Sequence, residues 1–275
     1  MNLHPSITNR EFKLLIKPQG LDRRSQIEKL SQQILNFCHK NKVEFFHLDN
    51  ATTGLRNIYF WDTPGEHFRQ NNIILRVRES RQNVWVDDFC EVTLKCRTHD
   101  LEDSFKFDPK PKKKIKARLR LKEEILRGDG LGTKRLIYSN NAILDAVPLD
   151  NIFERTHASL TEFFPTLKKI LIDKKTPIRI VGGSTNKILE ACLPLGNLQF
   201  GAGVQAHCDI AIWMKSVGEP IVGELAFSYR VNDENREAIK AHKRADKFFK
   251  NLQIEIKDWL EIGSTKTALV YGKPE

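Results

Sequence analysis

Several short segments of this chain alternate strictly between apolar and charged positions. In the stretch 73–82, Arg76 and Arg78 share one parity and Leu75 and Val77 the other. In 91–97, Glu91, Thr93, Lys95 and Arg97 share one parity, with Val92, Leu94 and Cys96 between them. Near the start, Glu11, Lys13 and Lys17 lie on one parity of 11–17, and in 116–124 Lys116, Arg118, Arg120, Lys122 and Glu124 alternate with Ala117, Leu119 and Leu121. Successive side chains on a β-strand point to opposite faces, so each segment predicts a strand with one apolar and one charged face. Like charges repel across neighbouring strands. Such a face either meets water or lines a polar cavity holding an anion. Four such strands predict an α+β fold: an antiparallel β-barrel, or tunnel, with a charged interior and helices packed outside.

The rest of the chain supplies the covering. Ser25 and Glu28 have the spacing of a capping box for a helix reaching about Lys40, with Ile27, Leu30, Ile34, Phe37 and Cys38 on one face. From about 140 to 175, Ile143, Leu144, Val147, Phe153, Leu160, Phe163, Phe164, Leu167, Ile170 and Leu171 recur at helical spacings, broken by Pro148 and Pro165. This predicts a helical insertion within one domain spanning residues 1–275. Strands are expected at 177–182, 204–214 and 221–231, the last two as a hairpin. Asn232 or Asp233 then caps a helix that turns Ala238, Ala245, Phe248, Phe249 and Leu252 inward, with Trp259 packed nearby. The tail, 265–271, is expected to be a strand carrying Lys266.

Composition narrows the setting. Hydrophobic residues make up 40% of the 275, enough for a core. The chain has no apolar run of about 18 residues, so no spanning helix is expected. Its first residues lack a secretory leader pattern. The five cysteines are scattered, with no Cys-x-x-Cys pair, which fits reduced thiols in the cytoplasm rather than a disulfide frame or zinc site. A net charge of +10 favours anionic partners without choosing among nucleotide, polyphosphate and nucleic acid. The basic run 110–116 reads as a solvated loop; with no RNA-stacking motif, nucleic acid is not the expected partner. Gly128, Gly130 and Gly132 lack the setting of a phosphate loop and read as a turn.

These segments together resemble the CYTH-type triphosphate tunnel metalloenzymes, which include thiamine triphosphatase, inorganic triphosphatase and class IV adenylate cyclase. The family's first strand reads Glu-x-Glu-x-Lys; here it is Asn9-Arg10-Glu11-Phe12-Lys13. Its Tyr-Phe-Asp-Thr-Pro segment resembles Tyr59-Phe60-Trp61-Asp62-Thr63-Pro64, with one extra residue. Leu75-Arg76-Val77-Arg78 and Thr93-Leu94-Lys95 match its next strands, and the alternation from Arg118 to Glu124 matches the one after. Glu224 stands where a late acidic strand supplies a metal ligand, but the usual second Glu is Ala226.

The resemblance implies a metal-dependent hydrolase of inorganic or organic triphosphate. Lys13, Arg76, Arg78, Lys95, Arg118, Arg120 and Lys266 would hold the phosphate oxygens, arginine as a planar fork and lysine as a point charge. Glu11, Glu124 and Glu224 would offer hard oxygens to Mg²⁺ or Mn²⁺. Glu11 and Lys13 are the candidate catalytic pair. Asn9 and Ala226 each remove a charge, which costs about 1–2 kcal/mol of metal binding apiece if each acts as an ordinary charge-assisted contact. Asp209 and His207, on the preceding strand, are the nearest compensating donors. Two alternatives stay open: a non-catalytic module that binds nucleotide or polyphosphate, and an ATP cyclase of the same family. The expected partner is in each case a small triphosphate or nucleotide, not a membrane.

Overall fold

The structure is a computed structural model that describes residues 6–48, 53–82, 85–112, 115–148, 156–183, 186–231, 236–262 and 265–272. Eleven strands run in one sheet: β1 (Asn9–Ile16), β2 (Glu44–His47), β3 (Gly54–Asp62), β4 (Ile73–Gln82), β5 (Trp85–Thr98), β6 (Arg118–Arg127), β7 (Lys134–Pro148), β8 (Arg179–Ile180), β9 (Ile188–Gln199), β10 (Gln205–Met214) and β11 (Pro220–Arg230). Nine of them close on themselves in the order β9-β10-β11-β1-β6-β7-β5-β4-β3, and β3 returns to β9 from Gly54↔Cys192 to Ile58↔Ile188. β2 and β8 pair on the outside of this ring, with β9 and β3. Closure leaves the nine strands without a free edge. The charged-interior barrel expected from the alternation is therefore present, with one difference: β1 and β6 run parallel. Parallel neighbours need a crossover, and the chain from β2 to β5 provides it.

Alternation sorts every strand into an outer and an inner face. Outside, Phe12 and Leu14 of β1, Ile210 of β10 and Leu225 and Phe227 of β11 pack against two helices, α1 (Arg24–Lys40) and α5 (Arg236–Glu255). The Phe12 and Phe227 rings stack at 4.5 Å. α1 buries Ile27, Leu30, Ile34, Phe37 and Cys38, and α5 buries Ala238, Ala245, Phe248, Phe249 and Leu252, as their spacings predict. Trp259 donates its Nε1–H to Gln33 of α1 at 3.0 Å. On the other flank, Leu75, Val77, Val92 and Leu94 pack against Leu160, Phe164 and Leu167. Inside one end, Ile58, Phe60, Ile74, Ile188, Trp213 and Val222 meet as an apolar cluster, all on lumen-facing parity.

The segment after β3 rests on Asp62. Its carboxylate accepts the backbone N–H groups of Thr63, Phe68 and Arg69 at the short helix α2 (His67–Gln70), and the Tyr271 hydroxyl at 3.1 Å. The Asp-Thr-Pro motif thus has a structural role. A further short helix, α3 (Leu101–Lys106), is capped by Asp100.

Four expectations change. Ser25 lies inside α1, which starts after Arg23 without a side-chain cap; Glu28 instead pairs with Arg24 at 2.7 Å. Residues 140–148 are not helical: they continue β7, held by ladders to both β5 and β6. The helical stretch begins only at α4 (His157–Phe163), capped by Thr156, followed by a 3₁₀ turn over Pro165–Lys169. The tail is a helix, α6 (Lys266–Tyr271), because Thr265 accepts the Ala268 N–H and Gly272 ends it with φ 66°. The strand expected at 177–182 shortens to β8. Lys113, Phe153, Asn232 and Asp233 lie outside the described residues. All five cysteines are free thiols, four of them buried. Among the described residues no helix is long and apolar enough to cross a membrane.

Candidate functional site

The barrel encloses a cavity of about 650 Å³. Glu11, Lys13, Arg76, Arg78, Lys95, Arg118, Arg120, Glu124, Glu224 and Lys266 all line it. Nine reach it by strand parity. Lys266 arrives differently, from the first turn of α6. The alternation also brings in Glu91, Thr93, Arg97 and Lys122, and three lumen residues that sequence reasoning missed: Arg56, Asn141 and Glu190. Arg56 and Glu190 are single charges on otherwise apolar inner faces, so no run of charge announced them. Asn9 does not line the cavity; its side-chain oxygen accepts from the Thr8 hydroxyl at 3.1 Å.

Two buried carboxylates organise the cations. Glu124 accepts from Lys13 at 3.0 Å, Arg97 at 2.9 Å and Ser139 at 2.8 Å. Burial opposes its charge, yet Arg97 and Lys13 hold its pKa well below the ordinary carboxylate range. Glu190 accepts from Arg56 and from the Trp213 Nε1–H at 2.6 Å, with Arg78 at 3.7 Å and Lys266 at 3.9 Å. Burial opposes that charge too, and Arg78, Lys266 and Arg56 hold it low. Lys13 sits between Glu11 at 3.1 Å and Glu124 at 3.0 Å. Burial disfavours its ammonium, but those two carboxylates keep its pKa above the usual lysine value.

On the wall formed by β4, β5, β6 and β7, cations outnumber the two lining carboxylates, Glu91 and Glu124. Among the described residues Arg76 touches Thr93 Oγ1 at 3.3 Å and, more distantly, Glu91 at 3.7 Å. Burial and the adjacent Arg78 bring its pKa down to about 9. Lys95 has no ion pair among the described residues. Burial pushes its pKa well below the ordinary value; Glu124 opposes this, while Arg97, Lys13 and Arg76 add to it. Asn141 stands across from Lys95 on one side and Arg120 on the other. It is 4% exposed, and among the described residues its Oδ1 has no hydrogen-bond partner. A buried polar atom without a partner is costly, and so is a buried cation without a counter-charge. The oxygens of an anion are the chemistry that would satisfy such groups.

The opposite wall, from β1, β11 and β10, is acidic. Glu11 pairs with Lys122 at 3.0 Å as well as Lys13. Burial opposes its charge, but Lys122 and Lys13 hold its pKa below the ordinary range. Glu224 pairs with Lys266 at 2.8 Å, whose ammonium also lies 4.7 Å over the Trp213 ring. Asp209 has its pKa raised to about 7, first by burial and then by Glu224 and Glu11. His207 lies 3.8 Å from it. Hard oxygens crowded until they repel are the donor chemistry that Mg²⁺ or Mn²⁺ takes. Among the described residues no three His, Cys, Asp or Glu side chains converge as a metal site.

No family model matches the chain, and no curated protein matches it. Among solved structures, a candidate adenylyl cyclase from Hippeastrum with a dominant triphosphatase activity aligns at TM-score 0.49 and 14% identity, over 98% of both chains. A candidate adenylate cyclase from Bacillus halodurans aligns at 0.44 and 10%, over 96% of this chain and 98% of that one. Another, from Vibrio parahaemolyticus, aligns at 0.40 and 12%, over 96% and 99%. The strand register above carries the fold assignment independently of these likenesses, and the charged tunnel agrees with the family resemblance read from the sequence.

Proposed function

We propose that this protein is a metal-dependent hydrolase of triphosphate-containing substrates, held inside the barrel. The supporting observation is the polarised cavity: Arg76, Lys95 and Arg120 face it with little or no carboxylate pairing, while Glu11, Glu224 and Asp209 gather opposite. Phosphate oxygens settle on the basic wall, where arginine forks and the Lys95 ammonium replace their water. Lys13 is fixed by Glu11 and Glu124 to point at the same oxygens. Glu11 and Glu224 would hold a divalent ion, which would supply charge neutralisation and a positioned water. In hydrolysis the water oxygen bonds to the terminal phosphorus while the bridging P–O bond breaks, its electron pair staying on the bridging oxygen of the departing diphosphate-bearing product. Asp209 takes the water proton, a role its pKa near 7 suits. Glu124, with its oxygens committed to Lys13, Arg97 and Ser139, serves as the anchor of the cations.

A second reading, a non-catalytic binder of polyphosphate or nucleotide, draws on Ala226, which leaves the acidic wall of the cavity one carboxylate short of the family pattern. The two part cleanly in one assay. Phosphate release is measured from a panel of tripolyphosphate and nucleoside triphosphates with Mg²⁺ or Mn²⁺. Metal-dependent release supports the hydrolase; binding without release under every condition leaves the binder.

A further inference from the structure

Glu190 stands on β9 at the seam where the ring of strands closes, opposite Arg56 of β3 on one side and Trp213 of β10 on the other. It is 1% exposed. Its Oε1 accepts from Arg56 and lies 3.7 Å from Arg78 of β4. Its Oε2 accepts the Trp213 Nε1–H at 2.6 Å and lies 3.9 Å from Lys266 of α6. Four elements thus meet on one side chain. Glu124 gathers a different set, Lys13 and Arg97. A carboxylate committed in this way is a poor metal ligand, because its oxygens already accept from strong donors and the ionic groups it pairs with are cations, which repel a divalent ion. Arg78 and Lys266 line the cavity. Lys266 is shared with Glu224, at 2.8 Å. A divalent ion at Glu224 would leave Glu190 as the carboxylate beside that ammonium.

We propose that Glu190 is a positioning residue for the hydrolysis: fixed by Trp213 and Arg56, it sets where Arg78 and Lys266 meet the phosphate oxygens, and it binds no metal itself. This rests on the triphosphate reading of the cavity. Arginine and lysine side chains are long and rotamer-rich, so their charge alone does not fix their place. A displacement on the order of 1 Å can cost about a hundredfold in rate where geometry carries the reaction. Binding of the substrate depends on Glu190 less, because Lys13, Arg76, Lys95 and Arg120 line the same cavity.

The test measures kcat and KM for tripolyphosphate, Mn²⁺ affinity in its presence, and melting temperature, for the wild type, Glu190→Gln and Glu190→Asp. Glu190→Gln keeps the size but takes the counter-charge from Arg56 and part of it from Arg78 and Lys266, so it should melt lower. Glu190→Asp restores the charge and much of the melting temperature, but draws the carboxylate back by one methylene. Both should lose at least about tenfold in kcat, with KM not raised and Mn²⁺ affinity unchanged. That split marks an interaction realised in the transition state. If Glu190→Gln does not fold, Glu190→Asp decides. Full kcat in Glu190→Asp overturns the role and leaves Glu190 a counter-charge only. Weakened Mn²⁺ affinity makes Glu190 a metal ligand and overturns it too, as does a raised KM with kcat kept. In each of these cases the wild type still releases phosphate and the cavity reading stands. A wild type that releases none from any triphosphate removes the hydrolase reading and this role together.

Discussion

Asp209 sits directly opposite Ala226 across the β10–β11 ladder. The strand that lacks its second carboxylate therefore has one beside it, on a neighbour of matching parity. Asp209 is held against its neighbours Glu224 and Glu11, which with burial lift it from 3.8 to about 7. For a carboxyl raised on folding, the folded state binds more protons than the unfolded one between those two values, so stability falls as pH rises through that window. Asp209→Asn should flatten the fall. A relief on the order of 1 kcal/mol at pH 8 raises the Tm by roughly 2–4 °C, with no gain at pH 3. Thermal melts across pH measure this; a variant no more stable at pH 8 than the wild type refutes the repulsion.

The basic wall should respond to ligand before any metal is added. On the proposed function, tripolyphosphate would bind only the folded state and relieve the buried cations, so it should raise the Tm in EDTA. Arg76→Ala and Arg120→Ala each remove a charge-assisted contact of about 1.5–3 kcal/mol, or about 10–150-fold in Kd. Lys110, exposed in the basic loop outside the barrel, is the control, and its alanine variant should bind normally. Equal damage from Lys110→Ala would move the site to that loop.

Lys95 gives a separate signature. Its ammonium is suppressed chiefly by burial, and a bound polyanion supplies the missing counter-charge. Binding should therefore take up a proton at Lys95 under alkaline conditions. Calorimetry in two buffers of different ionisation enthalpy should show proton uptake in the wild type and much less in Lys95→Met. Identical heats in both buffers would mean that Lys95 is already charged or away from the ligand.

The cavity was legible in the sequence because strand side chains repeat every two residues, so Arg76/Arg78, Lys95/Arg97 and Arg118/Arg120/Lys122 declared an inner face before any partner strand was known. Arg56 and Glu190 were not legible. Each shares its inner face with apolar neighbours, Ile58 and Phe60 in one case and Ile188 in the other, and a lone charge in such a run has no period. Their meeting depends on β3 closing onto β9, a contact between strands more than a hundred residues apart. The segment 140–148 failed for another reason. Ile143, Leu144 and Val147 fit either period, and only the ladders to β5 and β6 decide for a strand. The tail, expected as a strand over 265–271, is helical because the Thr265 cap and Gly272 define a short helix.

The carboxylates of the acidic wall should separate into structural and catalytic roles. Glu11 neutralises two partly buried lysines, Lys13 and Lys122, at 3.1 and 3.0 Å. Glu11→Gln leaves both with less counter-charge, so it should cost about 1–3 kcal/mol of stability as well as activity, and tripolyphosphate should restore part of the stability. Glu224 pairs only with Lys266 among the described residues, and that lysine keeps the Trp213 ring and Glu190 as company. Glu224→Gln should therefore melt close to the wild type. Its triphosphate hydrolysis should fall at least about a hundredfold, the scale of a few kcal/mol of transition-state stabilisation. Its Mn²⁺ affinity, titrated in the presence of tripolyphosphate, should weaken in parallel. If Glu224→Gln retains full turnover and full Mn²⁺ affinity, Glu224 is not a ligand, and its carboxylate does no more than hold Lys266 in place.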